Sequence, residues 1–485
     1  MIRRHAWRLS ILREIRRLYP GVLTMTPSGT TVTSEAPGET ATLQHHANWT
    51  YLVAILTATY ALNFVDRHIM NILAEPIKKD LRLHDWQLGV LTGLAFALVY
   101  GAMALPIARL ADRTNRPRLI TAALTIWSAG TSACSVAGGF GSLAAARITV
   151  GLGESGYTPT AHSLITEAVP KTRRTLALGI FNTGPSLGAM TALAVGGVVA
   201  DVWGWRWAFL LAGLPGLVMA LIVLLTVSEP GGPHRGSSPS TRTDFKTDAL
   251  GLLKKKSFAL FVCGGGLFGT SSYGLSAFMF SFLSRSHDAE IVDLARTFQH
   301  YSGVHVHSVG VIGPILGIIG GSAGISSSLL SGFLADRLVA RNVRYFSLVT
   351  AIPQLLAMPA LVIALTTSNL ASALTALAVG MVLMGFVSAP LASSIQYLAN
   401  SSNRATASAI SMFALIVFGN GMGPFLVGVM SDVARHWGFG QAEALRIAML
   451  TIAMGPMSVA ALLFLRASRY LARDMGYKTH APRQN

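Results

Sequence analysis

Two charged residues, Arg147 and Glu154, interrupt an apolar segment that is long enough to cross a bilayer, from about residue 143 to about residue 165. They are about two helical turns apart, so their side chains share one face of a helix, roughly 10 Å from each other. Charges at bilayer depth are costly and normally face a bundle interior or a water-filled cavity. The pattern indicates either a structural ion pair or a charged site along a transport path, and we favour the second.

A carboxylate in an earlier apolar segment, Asp66, is predicted to lie at a depth similar to that of Arg147. Desolvation favours the protonated carboxyl there, whereas the guanidinium favours the carboxylate, so a change in water access can move the proton. We expect Asp66 to take a proton from the outside and Arg147 to become free for an anionic substrate, with Glu154 as a second acid. A permanent Asp66–Arg147 bridge is the structural alternative.

Other polar side chains at bilayer depth are candidates for a substrate cavity. Arg67 adjoins Asp66 but points about 100° around the helix, so the two cannot face the same partner. The second half of the chain has almost no charge at this depth, which favours mild polar contacts with an amphipathic molecule. The predicted cavity residues are Arg67, Tyr157, Tyr273, Gln396 and Asn420.

The composition requires membrane helices to hold these side chains. Hydrophobic residues make up 52% of the 485 residues and charged residues only 12%, about half the charged fraction of a soluble protein. We therefore predict an all-α membrane protein with twelve transmembrane helices in two six-helix bundles. The predicted spans are about 50–74, 87–109, 118–138, 142–165, 174–200, 206–227, 257–282, 309–335, 344–366, 370–398, 404–432 and 443–466.

The distribution of basic residues predicts the orientation. The formal net charge is +17, and the lysines and arginines cluster in alternate connections, whereas the connections 139–141 and 367–369 carry almost none. Because basic connections face the cytoplasm, we predict a cell (inner) membrane protein with both termini cytoplasmic. The basic excess then reflects contact with anionic membrane lipid, and no nucleic-acid partner is expected.

A linker and a repeated turn divide the chain into halves. Residues 228–256 are rich in Gly, Ser, Pro and basic residues, which is typical of a cytoplasmic linker between bundles at 50–227 and 257–466. Residues 1–49 are predicted to be a basic, disordered cytoplasmic segment and 467–485 a cytoplasmic tail. The acidic-basic pair after predicted span 2 recurs after predicted span 8, which indicates a duplication. It predicts a cytoplasmic gate of Asp112, Arg113, Arg116, Asp336 and Arg337.

These motifs resemble those of the major facilitator superfamily across essentially the whole spanning region. The motif between helices 2 and 3 is matched at Asp112, Arg113, Arg116 and Arg118, although Ala108 replaces its glycine. The helix-4 motif is matched at Arg147, Gly151 and Gly153, and the motif associated with antiporters at Gly184, Pro185 and Gly188. The segments Asn63–Arg67 and Gly151–Tyr157 resemble the spinster-like branch.

The resemblance implies a monomeric transporter that works by alternating access, without a cofactor, with its substrate site between the halves. Members of the spinster-like branch move lysolipids or sphingoid-type lipids coupled to protons. We therefore predict a proton-coupled secondary transporter for an amphipathic or organic-anion small molecule. Two alternatives stay open: a small-carboxylate/proton symporter, since anion:cation symporters share several of these motifs, and a transporter-like membrane receptor without turnover.

The chain is not predicted to be an enzyme. Gly320 to Gly324 spell a nucleophile-elbow motif, but Ser322 lies inside an apolar helical segment rather than on a strand-to-helix turn. The sequence has no phosphate-binding Walker motif, which argues against an ATP-driven pump. The histidine-bearing outer connection, about 285–308, lacks familiar metal-ligand spacing and is predicted to be a solvated loop without a metal.

Overall fold

The computed structural model describes residues 49–111, 114–229, 245–303, 306–400 and 403–475, and every regular element in that part of the chain is a helix. In the first half, span 1 is Trp49–Leu81, span 2 is Asp85–Gly89 continued by the π-helical turn Val90–Leu94 and Ala95–Ala111, span 3 is Arg116–Cys134, span 4 is Phe140–Glu154 followed by Tyr157–Ala168, span 5 is Arg174–Phe181 followed by Gly184–Trp203, and span 6 is Trp205–Thr226.

The second half has the same number of spans. Span 7 is Lys256–Ser286, span 8 is Ser308–Val339, span 9 is Tyr345–Thr366, span 10 is Leu370–Gly385 followed by Ser388–Leu398, span 11 is Arg404–Ala414 continued by the π-helical turn Leu415–Met422 and Gly423–His436, and span 12 is Gln441–Asp474. Helices thus lie at all twelve predicted positions. Within the described residues, spans 2 and 5 to 12 are the nine that are long and apolar enough to cross a membrane. Spans 1, 3 and 4 do not meet both conditions.

Two further helices lie in connections that were predicted to be irregular. The linker helix, Phe245–Lys254, precedes span 7, and the outer helix, Asp288–Ser302, lies between spans 7 and 8. The prediction of a solvated loop at the second position was wrong. Two acidic residues occupy the first turn of the outer helix, where they favour its N-terminus, and Gly303 ends it in the left-handed conformation at φ 71°.

Glycines let the first-half helices approach each other closely around the charged residues of span 4. A methyl group added at Gly151 would lie 2.7 Å from the carbonyl oxygen of Phe96 in span 2. One added at Gly153 would lie 2.6 Å from the backbone nitrogen of Trp127 in span 3. These glycines therefore serve packing, as small residues commonly do between membrane helices.

Replacing Gly153 with alanine is expected to destabilise the protein by about 1–3 kcal/mol, because backbone atoms of span 3 cannot move aside for the added methyl group. Thermal unfolding in detergent measures this effect. Gly179→Ala in span 5 is the matched control, since an added methyl group there meets no heavy atom within 4 Å. Equal unfolding temperatures for the two variants would contradict the packing role of Gly153.

The two halves meet at the helix ends remote from the basic connections, which we call the outer ends. A methyl group added at Gly89 of span 2 would lie 2.8 Å from Cα of Phe425 in span 11. Spans 5 and 8 diverge from the outer side inward. The nearest atom to such a methyl group is 2.9 Å away at Gly317, 3.8 Å away at Gly324 and beyond 4 Å at Gly332. The structure is therefore closed outside and open toward the basic side.

Candidate functional site

Asp66 is a buried carboxylate without a partner. It lies on span 1 with 1% of its surface exposed, and its Oδ1 atom has no hydrogen-bond partner. Trp127 and Thr131 of span 3 direct their polar side-chain groups toward this carboxylate. No described basic side chain forms an ion pair with Asp66. This group can therefore bind or release a proton without breaking an ion pair among the described residues.

Arg147 is fully buried, and its guanidinium donates to backbone carbonyl oxygens rather than to a carboxylate. Its Nε donates to the carbonyl oxygen of Leu91 at 3.2 Å, and its Nη1 donates to the carbonyl oxygen of Asp66 at 3.1 Å. It forms no ion pair among the described residues, so neither an Asp66–Arg147 bridge nor an Arg147–Glu154 pair is present in this structure. Since its remaining nitrogen is also buried, the expectation that Arg147 meets an anionic substrate does not fit its position.

Arg67 is paired with Glu154 and surrounded by aromatic rings. Its Nη2 lies 2.5 Å from Oε2 of Glu154, and its side chain is 13% exposed whereas that of Glu154 is fully buried. The guanidinium carbon lies 4.7 to 5.4 Å from the ring centroids of Phe64, Phe96 and Tyr100, within cation–π range. We call Arg67, Glu154 and these three rings the arginine cage.

The other predicted cavity residues divide into two groups. Tyr273 of span 7 is partly exposed, and its ring lies beside span 11, where a methyl group added at Gly419 would be 3.2 Å from Cδ2. Tyr157, by contrast, is fully buried in the first bundle and donates to the carbonyl oxygen of Leu56 at 2.5 Å, so it does not line a cavity here. It was expected there because it follows Glu154, but it packs between Tyr60 and Trp127.

Asn420 and Gln396 also lie away from an open cavity. Asn420 lies in the π-helical turn of span 11, buried against Gly93 of span 2, where its carbonyl oxygen would lie 2.5 Å from an added methyl group. Gln396 is exposed near the basic end of span 10, where it donates to the hydroxyl of Ser408 at 2.6 Å. Asn420 therefore belongs to the contact between the halves, and Gln396 links spans 10 and 11 on the surface of the second half.

The predicted cytoplasmic gate is not formed across the halves by the described residues. Arg116 binds Glu229 Oε1 at 2.6 Å through Nε and Glu167 Oε2 at 2.5 Å through Nη2, and both carboxylates belong to the first half. Asp336 and Arg337 are exposed, and Arg337 lies over the ring of Phe333. Asp112 and Arg113 lie outside the described residues. Arg116 thus fastens spans 3, 4 and 6 together in this structure, which is open toward the basic side, and the gate stays a prediction for the outward-open state.

A buried charge network at the outer ends was not predicted. Arg285 of span 7 contacts Glu75 of span 1 at 2.7 Å and Asp85 of span 2 at 2.9 Å. Asp85 also accepts from Lys78 at 2.6 Å and from the hydroxyl of Ser431 in span 11 at 2.8 Å. We call Glu75, Lys78, Asp85 and Arg285 the outer latch, since it joins the first half to the second.

Two carboxylates add backbone contacts beside the outer latch. Asp432, near the outer end of span 11, accepts the backbone N–H of Trp86 at 2.8 Å at the start of span 2. Asp201, near the outer end of span 5, accepts the backbone N–H groups of His307 and Gly310 at 2.6 Å at the start of span 8. Each half therefore caps a helix N-terminus of the other with a carboxylate, as the helix dipole favours.

The sequence did carry a signal for this closure, namely opposite charges at the outer edges of spans 1, 2 and 7. These residues lie at or just beyond the boundaries of the predicted spans, so the predicted spans did not include them. Their burial results only from the meeting of the two halves, which no local pattern reports.

The chain matches several known proteins. The sequence profile of the Major Facilitator Superfamily matches residues 56–424. An MFS-type efflux pump of Mycolicibacterium smegmatis is 33% identical over 427 residues, covering 87% of this chain and 93% of the pump. A sphingosine-1-phosphate transporter of Danio rerio is 26% identical over 449 residues, covering 88% of this chain and 87% of that transporter.

One solved structure has the same arrangement. It is a bacterial homologue of the human lysosomal transporter Spinster in an inward-facing and unoccupied conformation, with 28% sequence identity and a TM-score of 0.78. The match covers 88% of this chain and 98% of the homologue. The closed outer ends described above agree with an inward-facing conformation.

Proposed function

Because the chain belongs to the major facilitator superfamily, and within it to the spinster-like branch, we propose that it is a proton-coupled secondary transporter of an amphipathic or organic-anion small molecule. Lysolipids and sphingoid-type lipids are the first substrate class to test, since one relative is a sphingosine-1-phosphate transporter. The efflux-pump relative and the motif at Gly184 to Gly188 favour export.

The arginine cage is the observation that carries this proposal. A guanidinium surrounded by aromatic rings offers an anionic headgroup a charge partner, while the rings offer its chain an apolar surface. In the inward-facing state Glu154 is ion-paired with the guanidinium of Arg67. Protonation of Glu154 removes that competition, so Arg67 replaces Arg147 as the residue that meets the substrate.

Asp66 supplies the coupling proton in this mechanism. A buried carboxylate without a charge partner favours its neutral form, whereas water reaching it through an opened half lets it ionise. Span 1 carries both Asp66 and Arg67, and Arg147 binds the backbone of Asp66. A change of charge at Asp66 therefore acts on the same helix that carries Arg67, the residue proposed to bind the substrate.

Proteoliposomes that contain the purified protein and a pH-sensitive dye test the proposal. Lysolipids, sphingoid bases and small organic acids are added in turn, and proton flux is recorded. Flux with a lysolipid or sphingoid lipid supports the proposal. Flux with small carboxylates alone favours the symporter alternative. Saturable binding without flux for every class favours a receptor and overturns the proposal.

The double variant Arg67→Gln/Glu154→Gln separates the two roles of the cage. Arg67→Gln alone is expected to lose transport of anionic substrates and about 3–5 kcal/mol of stability, since it leaves Glu154 buried without a partner. The double variant is expected to recover stability, because two neutral amides replace the pair, but not transport. Thermal unfolding and flux measure these outcomes. Transport that returns together with stability would mean that Arg67 is only structural.

A further inference from the structure

Span 12 presents a stripe of side chains that changes from apolar to basic along the helix. Val459 and Leu462 are exposed, Leu462 by 63%, and the next exposed residues on that face are Arg466, Arg469 and Arg473. The steps of three and four residues keep all five on one side of the helix. Because that side does not pack against the rest of the protein, it faces the surrounding membrane.

The basic part of the stripe lies in an extension that the first half lacks. Span 12 has 34 residues, whereas its counterpart in the first half, span 6, has 22. The twelve additional residues add about 18 Å of helix, more than the ~30 Å hydrocarbon core requires. The three arginines therefore stand at the level of the lipid headgroups on the basic side.

A second helix brings further cations to this surface. Lys256, at the start of span 7, lies 5.3 Å from the ring centroid of Tyr470, and Arg473 lies 5.7 Å from the same ring. The acidic neighbour Asp474 is held by the N–H and hydroxyl of Ser257, at 2.9 and 2.8 Å, and lies 3.4 Å from Arg473. Asp474 here and Asp248 on the linker helix are two carboxylates against five basic side chains, so most of the positive charge is left without compensation.

The linker helix completes the surface at the membrane level. Its Leu252 is buried against the second half, whereas Leu250 is 60% exposed and Leu253 is 45% exposed, and the exposed Lys254 ends the helix. A short helix with exposed leucines beside lysine is typical of a segment that lies in the interface between acyl chains and headgroups. Lys255 is excluded, because it donates to the carbonyl oxygen of Leu398.

We propose that this surface binds the phosphate headgroup of an anionic phospholipid of the cytoplasmic leaflet. The binding residues are Lys254, Lys256, Arg466, Arg469 and Arg473, with Leu250 and Leu253 against the acyl chains. Guanidinium groups suit phosphate oxygens because they donate two hydrogen bonds at once. The bound lipid joins the linker helix to spans 7 and 12, so it anchors the end of the connection between the halves.

Retention of phosphatidylglycerol by the purified protein tests this proposal. The full chain is reconstituted in nanodiscs of phosphatidylcholine with a minor fraction of phosphatidylglycerol, extracted, and examined by native mass spectrometry. The variant Arg466→Gln/Arg469→Gln/Arg473→Gln is expected to bind phosphatidylglycerol on the order of a hundredfold more weakly, or about fivefold for each arginine.

The matched control removes three other exposed arginines from the basic side, in Arg337→Gln/Arg341→Gln/Arg344→Gln. It changes the net charge equally, so it is expected to retain phosphatidylglycerol as the wild type does. If both triple variants lost phosphatidylglycerol equally, the binding would depend only on net charge, and the proposal would be overturned. Full retention of phosphatidylglycerol by the first triple variant would overturn it as well. If the first triple variant folds poorly, Lys256→Gln alone is used, with an expected loss of about fivefold.

Discussion

Replacing Asp66 with asparagine is expected to reduce substrate-driven proton flux to the level of empty liposomes while the protein stays folded. The amide has nearly the shape of the carboxyl but carries no exchangeable acid proton. Oδ1 of Asp66 has no hydrogen-bond partner and the carboxylate no ion pair among the described residues, so little structure depends on its charge. We expect a change in the free energy of unfolding below about 1 kcal/mol.

The control for this variant is Asp80→Asn. Asp80 is also on span 1, but its side chain is 45% exposed and pairs with Arg206 at the outer surface. Its replacement is expected to leave proton flux unchanged, since exposed ion pairs contribute little. Dye fluorescence in proteoliposomes and thermal unfolding measure both variants. Undiminished coupling in Asp66→Asn would assign the coupling proton to Glu154 or to another group.

Replacing Arg285 with glutamine is expected to open the outer side. Without the guanidinium, Glu75 and Asp85 stay buried with Lys78 as their single cation, at a cost of about 3–5 kcal/mol to the inward-facing state. A shift of about 5.5 kcal/mol is enough to reverse a 99:1 equilibrium. The outward-facing state, in which water reaches these carboxylates, is therefore expected to become a major population.

Pulsed electron spin resonance between labels at Lys79→Cys and Asp288→Cys measures this shift. Both residues are exposed at the outer ends, one in each half, and the background lacks Cys134 and Cys263. Arg285→Gln is expected to add a longer distance to the distribution. Arg206→Gln is the control, because its ion pair with Asp80 lies within the first half. An unchanged distribution in Arg285→Gln would show that the outer latch does not set the conformational balance.

The sequence was sufficient to place the helices but not to pair the charges. Helices lie at all twelve positions where the apolar segments and alternate basic connections predicted spans. The prediction that Asp66 and Arg67 face different partners follows from the 100° rotation between neighbours on a helix. Which partner each meets depends on how span 1 is rotated in the bundle, and that rotation depends on close packing against glycines of span 5 such as Gly184 and Gly188.

Errors of assignment arose where tertiary contacts override sequence neighbourhood. Tyr157 follows the charged motif of span 4, but the helix break after Glu154 turns its ring into the bundle. Arg285 lies at the end of an apolar segment, where an arginine commonly faces the membrane interface. Its role becomes evident only from its ion pairs with Glu75 and Asp85 of the other half. Contacts between the halves are far apart in sequence and have no period that a local reading can detect.

The paired caps made by Asp201 and Asp432 determine how this closure can vary among related sequences. Each carboxylate is bound by backbone N–H groups, at Trp86, His307 and Gly310, so the donors do not depend on the side chains at those positions. Substitution at Trp86 or His307 therefore keeps the donating N–H unless the new residue is proline, whereas a side chain at Gly310 would lie 2.8 Å from Oδ2 of Asp201. The caps therefore constrain Asp201, Asp432 and Gly310, whereas they place no demand on the side chains at Trp86 and His307.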